Sequence, residues 1–275
     1  MMPAQYAIAR LRRDLTIGTT LNFTLASIAA ICLVLPIGLD IGFAGTLLLV
    51  VVGGVWLVLS AQSVRGSRLA ASSPSLIASG RLDAAEQQIE QALHTFSLYR
   101  TTKLLSLHHL AMLRHAQRRW EDCAQLCRAL LSQRLGSLQS LARQSRLLLA
   151  DSLLETGDVG GAYDALAALY HQRLSLAEAM NLLAVQLDYQ SRVGAWEQMF
   201  EGAGTKVQLA ELMPAPIAAR AEALLALAAR KLDKQDWANW LRARAELLGD
   251  VNELTRARPI LWELWSAQNP AMHDA

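Results

Sequence analysis

The residues best suited to chemistry are histidines and cysteines between positions 94 and 127. His108 and His115 are seven residues apart and therefore share one helix face, with His94 and His109 nearby in sequence. Cys123 and Cys127 are four apart, but no CxxC pair exists, and a structural zinc site would require four ligands. No acidic residue lies at ligand spacing from the histidines. We therefore predict no metal and no cofactor, polar contacts for the histidines, and core packing for the cysteines.

Enzymatic and nucleic-acid-binding signatures are missing from the rest of the sequence. It has no Ser-His-Asp arrangement, no glycine-rich phosphate loop and no HExxH motif. The 26 Lys and Arg residues nearly balance 24 Asp and Glu, which leaves no basic footprint for nucleic acid. The sequence predicts a protein that is not an enzyme and does not bind nucleic acid.

Two long apolar runs, residues 17–39 and 41–61, contain no charged residue. About twenty helical residues cross a hydrocarbon core of about 30 Å, so each run is long enough to cross once. Pro36 helps to end the first helix, and Asp40 lies at the tip of the short connector. The sequence predicts a transmembrane helical hairpin over residues 17–61; the alternative for the first run is a cleaved signal peptide.

The flanking charges predict the orientation of this hairpin. Arg10, Arg12 and Arg13 precede the first run, Arg65 and Arg68 follow the second, and the tip carries no basic residue. By the positive-inside rule, both ends of the hairpin face the cytoplasm. The predicted protein is thus an integral membrane protein with both termini in the cytoplasm.

Beyond the hairpin, five segments align with one another: 80–85, 118–123, 157–162, 194–199 and 235–240. Each has a turn-like start, a large apolar residue two positions later, and a mostly small or apolar residue three after that. The large residues are separated by 38, 39, 37 and 41 positions and are Leu82, Trp120, Val159, Trp196 and Trp237. Amphipathic spacing before and after each turn predicts repeated helix–turn–helix units, so the fold class is all-α.

Residues 70–248 resemble the tetratricopeptide repeat (TPR) superfamily. The best match consists of Leu149, Ala150, Leu153, Gly157, Val159, Ala162 and Leu166. The spacing exceeds the usual period of about 34, and helices longer by one turn would account for this. The whole arrangement is similar to HemY-like bacterial membrane TPR proteins, which implies a bacterial inner (cytoplasmic) membrane.

The resulting domain organisation has five parts. They are a cytoplasmic segment 1–16, the transmembrane hairpin 17–61, a linker 62–75, a TPR-like α-solenoid 76–268 and a flexible tail 269–275. The resemblance places polar residues of the first helices on an inner groove, where they would contact a protein or peptide. These candidates are His108, His115, Gln144, Asp151, Asp188 and Glu222; the alternative is that they are ordinary solvated positions.

Two functions remain open at this point. The chain is either a membrane-anchored adaptor that holds a protein partner, or an accessory subunit bound into a larger complex through its hairpin. The sequence predicts contact with the lipid bilayer in both cases, and it predicts no oligomeric state.

Overall fold

The predicted all-helical architecture is confirmed for residues 2–34, 42–97 and 99–266, which the structure, a computed structural model, describes. In these ranges every regular element is an α-helix except a short 3₁₀ turn at Pro259–Leu261. The helices are α1 Ala4–Val34, α2 Gly42–Ala71, α3 Ser73–Ala78, α4 Leu82–His94, α5 Arg100–Ala116, α6 Trp120–Leu131, α7 Gln139–Glu155, α8 Val159–Ala167, α9 Leu176–Val193, α10 Trp196–Phe200, α11 Ala203–Ala210, α12 Ala215–Lys231, α13 Gln235–Leu248, α14 Val251–Ala257 and α15 Trp262–Ser266. The connector with Pro36 and Asp40 and the tail 269–275 lie outside the described residues.

The chain divides into two compact units, Met1–Ser152 and Leu153–Ala275. This division falls within α7, whereas the sequence suggested one body from residue 76 onward. The first unit contains the apolar helices together with α3 to α6, and the second contains α8 to α15.

The linker predicted at 62–75 is helical instead. Residues 62–71 complete α2, and Pro74 lies in the first turn of α3, where its missing N–H leaves no helical bond unmade. One helix, spanning Ala4–Ile31, is long and apolar enough to cross a membrane; the apolar part of α2 in the described residues is the shorter stretch Val50–Gly66.

The first turns of α1 belong to the core of the first unit, in contrast to the separate segment predicted at 1–16. Met2, Ala4, Ala7 and Leu11 are buried at helical spacing, and α1 packs against α5 and α6. Burial of a side chain such as Leu11 contributes about 2 kcal/mol. The start of α1 is therefore a structural part of the helical unit.

Farther along α1 the apolar surface is exposed, with Phe23 76% accessible. Hydroxyls in this region bond to the helix itself: Thr20 Oγ1 donates to the Thr16 carbonyl at 3.0 Å, and Thr24 Oγ1 donates to the Thr20 carbonyl at 2.9 Å. Such internal bonding is what a hydrocarbon environment requires of polar groups. In this exposed, apolar part of α1, the hydroxyls of Thr20 and Thr24 are therefore satisfied within the helix.

Five interhelical turns share one backbone geometry. A residue with positive φ recurs at intervals of 38, 39, 37 and 39 positions: Gly80 (74°), Arg118 (58°), Gly157 (83°), Gly194 (69°) and Asp233 (55°). The residue that follows has φ between −81° and −93° and ψ between 57° and 74° in all five cases. This left-handed residue followed by an inverse γ-turn ends one helix and begins the next.

The fifth turn corrects the predicted register. The sequence alignment began the turn at Gln235, but the left-handed residue is Asp233 and α13 already begins at Gln235. Aspartate adopts this conformation more readily than most residues, so no glycine indicated the position. In the fourth helix–turn–helix repeat, Gly202 (φ 65°) divides the second helix into α10 and α11.

Helix α12 is the centre of the second unit. Its residues from Ala221 to Ala229 are all buried, because α9, α10, α11 and α13 pack around it. Alanine dominates this stretch, and its small side chain allows neighbouring helices to approach on several sides. The position of α12 therefore depends on its composition more than on a single apolar stripe.

Candidate functional site

The structure brings two of the six predicted groove residues together. His115 on α5 and Asp151 on α7 have their Nε2 and Oδ2 atoms 2.7 Å apart, and both side chains remain partly exposed. The Trp120 ring meets the His115 ring edge-on, with centroids 4.9 Å apart. This pair can present a polar, partly accessible surface to a ligand.

His108 lies in the interior instead. Its Nδ1 is 2.9 Å from Ser145 Oγ on α7, and burial followed by repulsion from His109 lowers the pKa of His108 to about 4. The ring is therefore neutral at pH 7. His109 makes the equivalent contact with Ser73 Oγ at 3.0 Å, so the two histidines join α5 to α7 and α3.

Gln144 is exposed on α7, seven residues before Asp151 and thus on the same helix face. Among the six candidates, Gln144, Asp151 and His115 are the accessible ones, and all three belong to the first unit. Their role as partner contacts stays a prediction.

Asp188 is fully buried within the second unit, whereas the TPR resemblance placed it on an accessible inner groove. Arg258 binds both carboxylate oxygens, with Nε–Oδ1 at 2.9 Å and Nη2–Oδ2 at 2.8 Å. The same Arg258 contacts Glu155 at 2.7 Å, and Arg220 lies 3.7 Å from Asp188. A carboxylate held this way joins α9 to the segment that follows α14.

Glu222 is likewise buried, and its Oε1 accepts bonds from Arg244 Nε at 3.2 Å and Nη2 at 3.1 Å. Arg244 also contacts Glu211 at 2.7 Å and lies over the Trp240 ring. The bond to Glu222 is the main cause of the raised pKa of Arg244. Glu222 thus joins α12 to α13 in place of facing an open groove.

The predicted core position of the cysteines is confirmed, since Cys123 and Cys127 are both buried free thiols. A hydrogen bond between the two lowers the pKa of Cys123, while that bond and burial raise the pKa of Cys127 well above its usual value. No group of three or more His, Cys, Asp or Glu side chains in the described ranges is arranged to hold a metal ion.

Two buried cations in the first unit were not predicted. Lys103 Nζ contacts Asp14 Oδ2 at 2.8 Å and donates to the Leu93 and Thr95 carbonyls at 2.7 and 2.6 Å. Burial is the largest influence on the pKa of Lys103 and lowers it. Arg10 donates to the Leu93 and His94 carbonyls, so α1 places a guanidinium at the C-terminal end of α4.

Arg114 is the second buried cation, and it bonds to Glu86 at 2.9 Å and to the Met2 carbonyl at 2.7 Å. Lys103 and Arg114 follow the spacing of the buried residues Leu107 and Leu110 on α5. A charged residue on the apolar face of a predicted helix indicates a buried ion pair, so the spacing of Lys103 and Arg114 could have predicted both pairs.

Comparison of the chain with protein-family profiles, curated proteins and solved structures found no match in any of the three.

Proposed function

We propose that this chain is a membrane-anchored, TPR-like helical-repeat adaptor that holds a protein partner at the cytoplasmic face of the membrane. The single observation that carries the proposal is the recurrence of one turn geometry five times at nearly constant spacing. Regularly repeated helix pairs stack into solenoids, whose extended surfaces bind other proteins. The long apolar helix α1 supports the anchor.

The proposed anchor is a two-span hairpin with both ends in the cytoplasm. The flanking arginines support this orientation through the positive-inside rule. The start of α1 and the end of α2 both pack on the helices of the first unit, α1 against α5 and α2 against α4 and α5. Such packing leaves only residues 17–61 available to replacement.

The test exchanges residues 17–61 for an unrelated two-helix anchor and keeps residues 2–16 and 62–71. Partners are identified by crosslinking and mass spectrometry from solubilised membranes. An adaptor retains its partner after the exchange, because recognition lies outside the membrane. Loss of the partner, with the exchanged protein still folded and inserted, contradicts the adaptor function.

A second candidate, an accessory subunit recognised through its hairpin, is favoured by a cavity of about 510 Å³ between α1 and α2. Its lining includes Ala26, Ala29, Gly53 and Trp56. Small residues at this place permit another helix to approach closely. A side chain added at Gly53 would meet open space, and the same holds at Gly54, which does not line the cavity.

These two glycines provide a matched pair for the second candidate. Gly53→Leu would fill the cavity, and Gly54→Leu adds the same volume beside it. A subunit docked in this cavity loses its complex with Gly53→Leu alone, measured by native electrophoresis of solubilised membranes. Equal behaviour of the two variants contradicts recognition through the cavity.

A further inference from the structure

A groove with aromatic walls lies within the second unit, away from the six predicted residues. Helices α8, α9, α10 and α11 form its sides around a cavity of about 820 Å³. Three tyrosines line it, one on α8, one just after α8 and one on α9: Tyr163, Tyr170 and Tyr189. The rings of Tyr163 and Tyr189 are 5.9 Å apart between centroids.

Gln190 has an unpaired hydrogen-bond acceptor at this groove. Gln190 is one of the residues that line the cavity and is only 5% exposed, and its Oε1 has no hydrogen-bond partner among the described residues. A buried polar atom without a partner destabilises the folded chain, because it has lost its hydrogen bond to water. A ligand that brings an N–H donor to this oxygen would remove that cost.

A second cavity of about 560 Å³ continues the groove. The two cavities share Glu201 and Gly202 as wall residues, and the second is lined by Phe200 and Trp237. These two rings pack edge to face, with centroids 5.7 Å apart. Aromatic faces thus follow one another along both cavities, which suits an extended ligand.

The charges that line the two cavities balance, two glutamates against two lysines: Glu197, Glu201, Lys206 and Lys234. Both lysines have intramolecular contacts. Lys206 Nζ donates to the Gln198 and Met199 carbonyls at 2.8 and 2.9 Å, and Lys234 Nζ lies 4.2 Å from the centre of the Phe200 ring. The groove therefore favours an uncharged ligand over an anionic one.

We propose that this groove binds an extended, uncharged, proline-containing segment of a partner protein, with a backbone N–H of that segment donating to Gln190 Oε1. Proline rings pack well on aromatic faces, and the polyproline II conformation leaves its carbonyls open to tyrosine and glutamine donors. The residues between prolines supply the N–H group. This inference rests on the proposed adaptor function and assigns it a site.

The test measures binding of an end-blocked, fluorescein-labelled octapeptide of alternating proline and leucine to the full chain in detergent. Fluorescence anisotropy should show saturable binding, and a matched peptide of alternating glutamate and serine should not bind. Tyr189→Ala and Gln190→Leu should each weaken binding by about 10-fold or more. The control Gln208→Leu changes an exposed glutamine on α11 outside the groove and should leave binding unchanged.

Thermal unfolding separates recognition from folding in the same variants. Gln190→Leu removes an unsatisfied buried atom, so its Tm should not fall while its affinity does. No saturable binding up to about 1 mM peptide, a free energy near 4 kcal/mol, overturns the proposal. Equal binding of the glutamate peptide, or unchanged affinity in both groove variants, overturns it as well.

Failure of the groove is distinguishable from failure of the adaptor function. A photocrosslinking residue is placed at Tyr163 and, separately, at Gln144 in the membrane-bound protein. A partner captured at Gln144 and not at Tyr163 overturns the groove and leaves the adaptor function standing. If the anchor exchange abolishes partner recovery, the adaptor function fails, and the peptide titration alone decides the groove.

Discussion

Buried charged side chains in this protein link helices that are far apart in sequence. Asp188 meets Arg258 seventy residues later, and Lys103 meets Asp14. A buried pair of this kind adds little net stability relative to apolar residues of similar size. Removal of one partner, however, leaves an uncompensated charge in the interior, so each pair makes one arrangement of helices strongly preferred.

Asp188→Asn tests this argument. The substitution removes the carboxylate charge that Arg258 binds through two hydrogen bonds, and it should lower the free energy of unfolding by about 3 kcal/mol. Asp164→Asn is the control, because Asp164 is an exposed aspartate in the same unit and should change stability by less than about 0.5 kcal/mol. Chemical denaturation measures both, and equal effects would show that the ion pair is not the cause.

His108 predicts a dependence of stability on pH. Its pKa in the folded chain is about 4, below the ordinary value of 6.5, so the unfolded chain binds more protons between these values. The contribution of neutral His108 to the free energy of unfolding is therefore fully present above pH 6.5. It is lost as the pH falls towards 4, by up to about 3 kcal/mol.

His108→Gln provides the comparison, because glutamine can still bond Ser145 but does not titrate. The unfolding free energy of the wild type minus that of the variant should decrease as the pH falls through this window, because only the wild type takes up a proton at position 108. Parallel stability curves for wild type and variant would contradict the assignment of this pH dependence to His108.

At the scale of elements, α1 has two parts with different surroundings. Leu11 is 1% exposed in the packed part, whereas Phe23 is 76% exposed in the apolar part. Leu11→Ala should lower the unfolding free energy by about 2–5 kcal/mol through lost burial and a residual cavity. Phe23→Ala in the same helix should leave stability in detergent nearly unchanged, and a comparable loss would show that Phe23 also packs on protein.

The repeated turn makes a second prediction at this scale. Arg118 is exposed and adopts a left-handed conformation, so Arg118→Gly relieves backbone strain and should raise stability by about 0.5–1 kcal/mol. Gly157 occupies the equivalent position, and Gly157→Ala should lower stability by about 1 kcal/mol. Thermal unfolding of both variants checks the opposite signs; shifts of the same sign would argue against equivalence of the two turns.

The sequence was sufficient to locate helices and most turns, because Gly80, Gly157 and Gly194 mark left-handed positions by composition. Asp233 is not a glycine, so the sequence did not indicate this left-handed position. The predicted start of the fifth repeat was therefore displaced by two residues. Spacing also placed Asp188 and Glu222 on particular helices. It could not show their burial, because the arginines that neutralise them lie on other helices.

The groove lined by Tyr163, Tyr170 and Tyr189 was not predicted from the sequence, for the same reason. Tyr163 and Tyr189 belong to different helices and approach each other only after packing. An unpaired amide oxygen such as that of Gln190 has no signature in local spacing. Local periodicity specifies which face of a helix is apolar, whereas a site between helices depends on their three-dimensional arrangement.

At the scale of the whole molecule, the proposed topology is open to a direct test. Cys123 and Cys127 are buried and should not react with an impermeant maleimide. In a background with Cys32 replaced by alanine, Asp40→Cys should be labelled in intact cells and Ser132→Cys only after permeabilisation. The reverse pattern would place the helical units on the opposite side of the membrane.

The contacts made by the start of α1 can form only after later parts of the chain have been synthesised. Met2, Arg10 and Asp14 bond to residues between 93 and 114, which leave the ribosome much later. At about 5–20 residues per second, the earlier residues wait roughly 5–25 s for these partners. The first unit therefore closes its two buried ion pairs only after α5 has emerged, and a pause or truncation before residue 103 would leave α1 exposed to quality-control proteases.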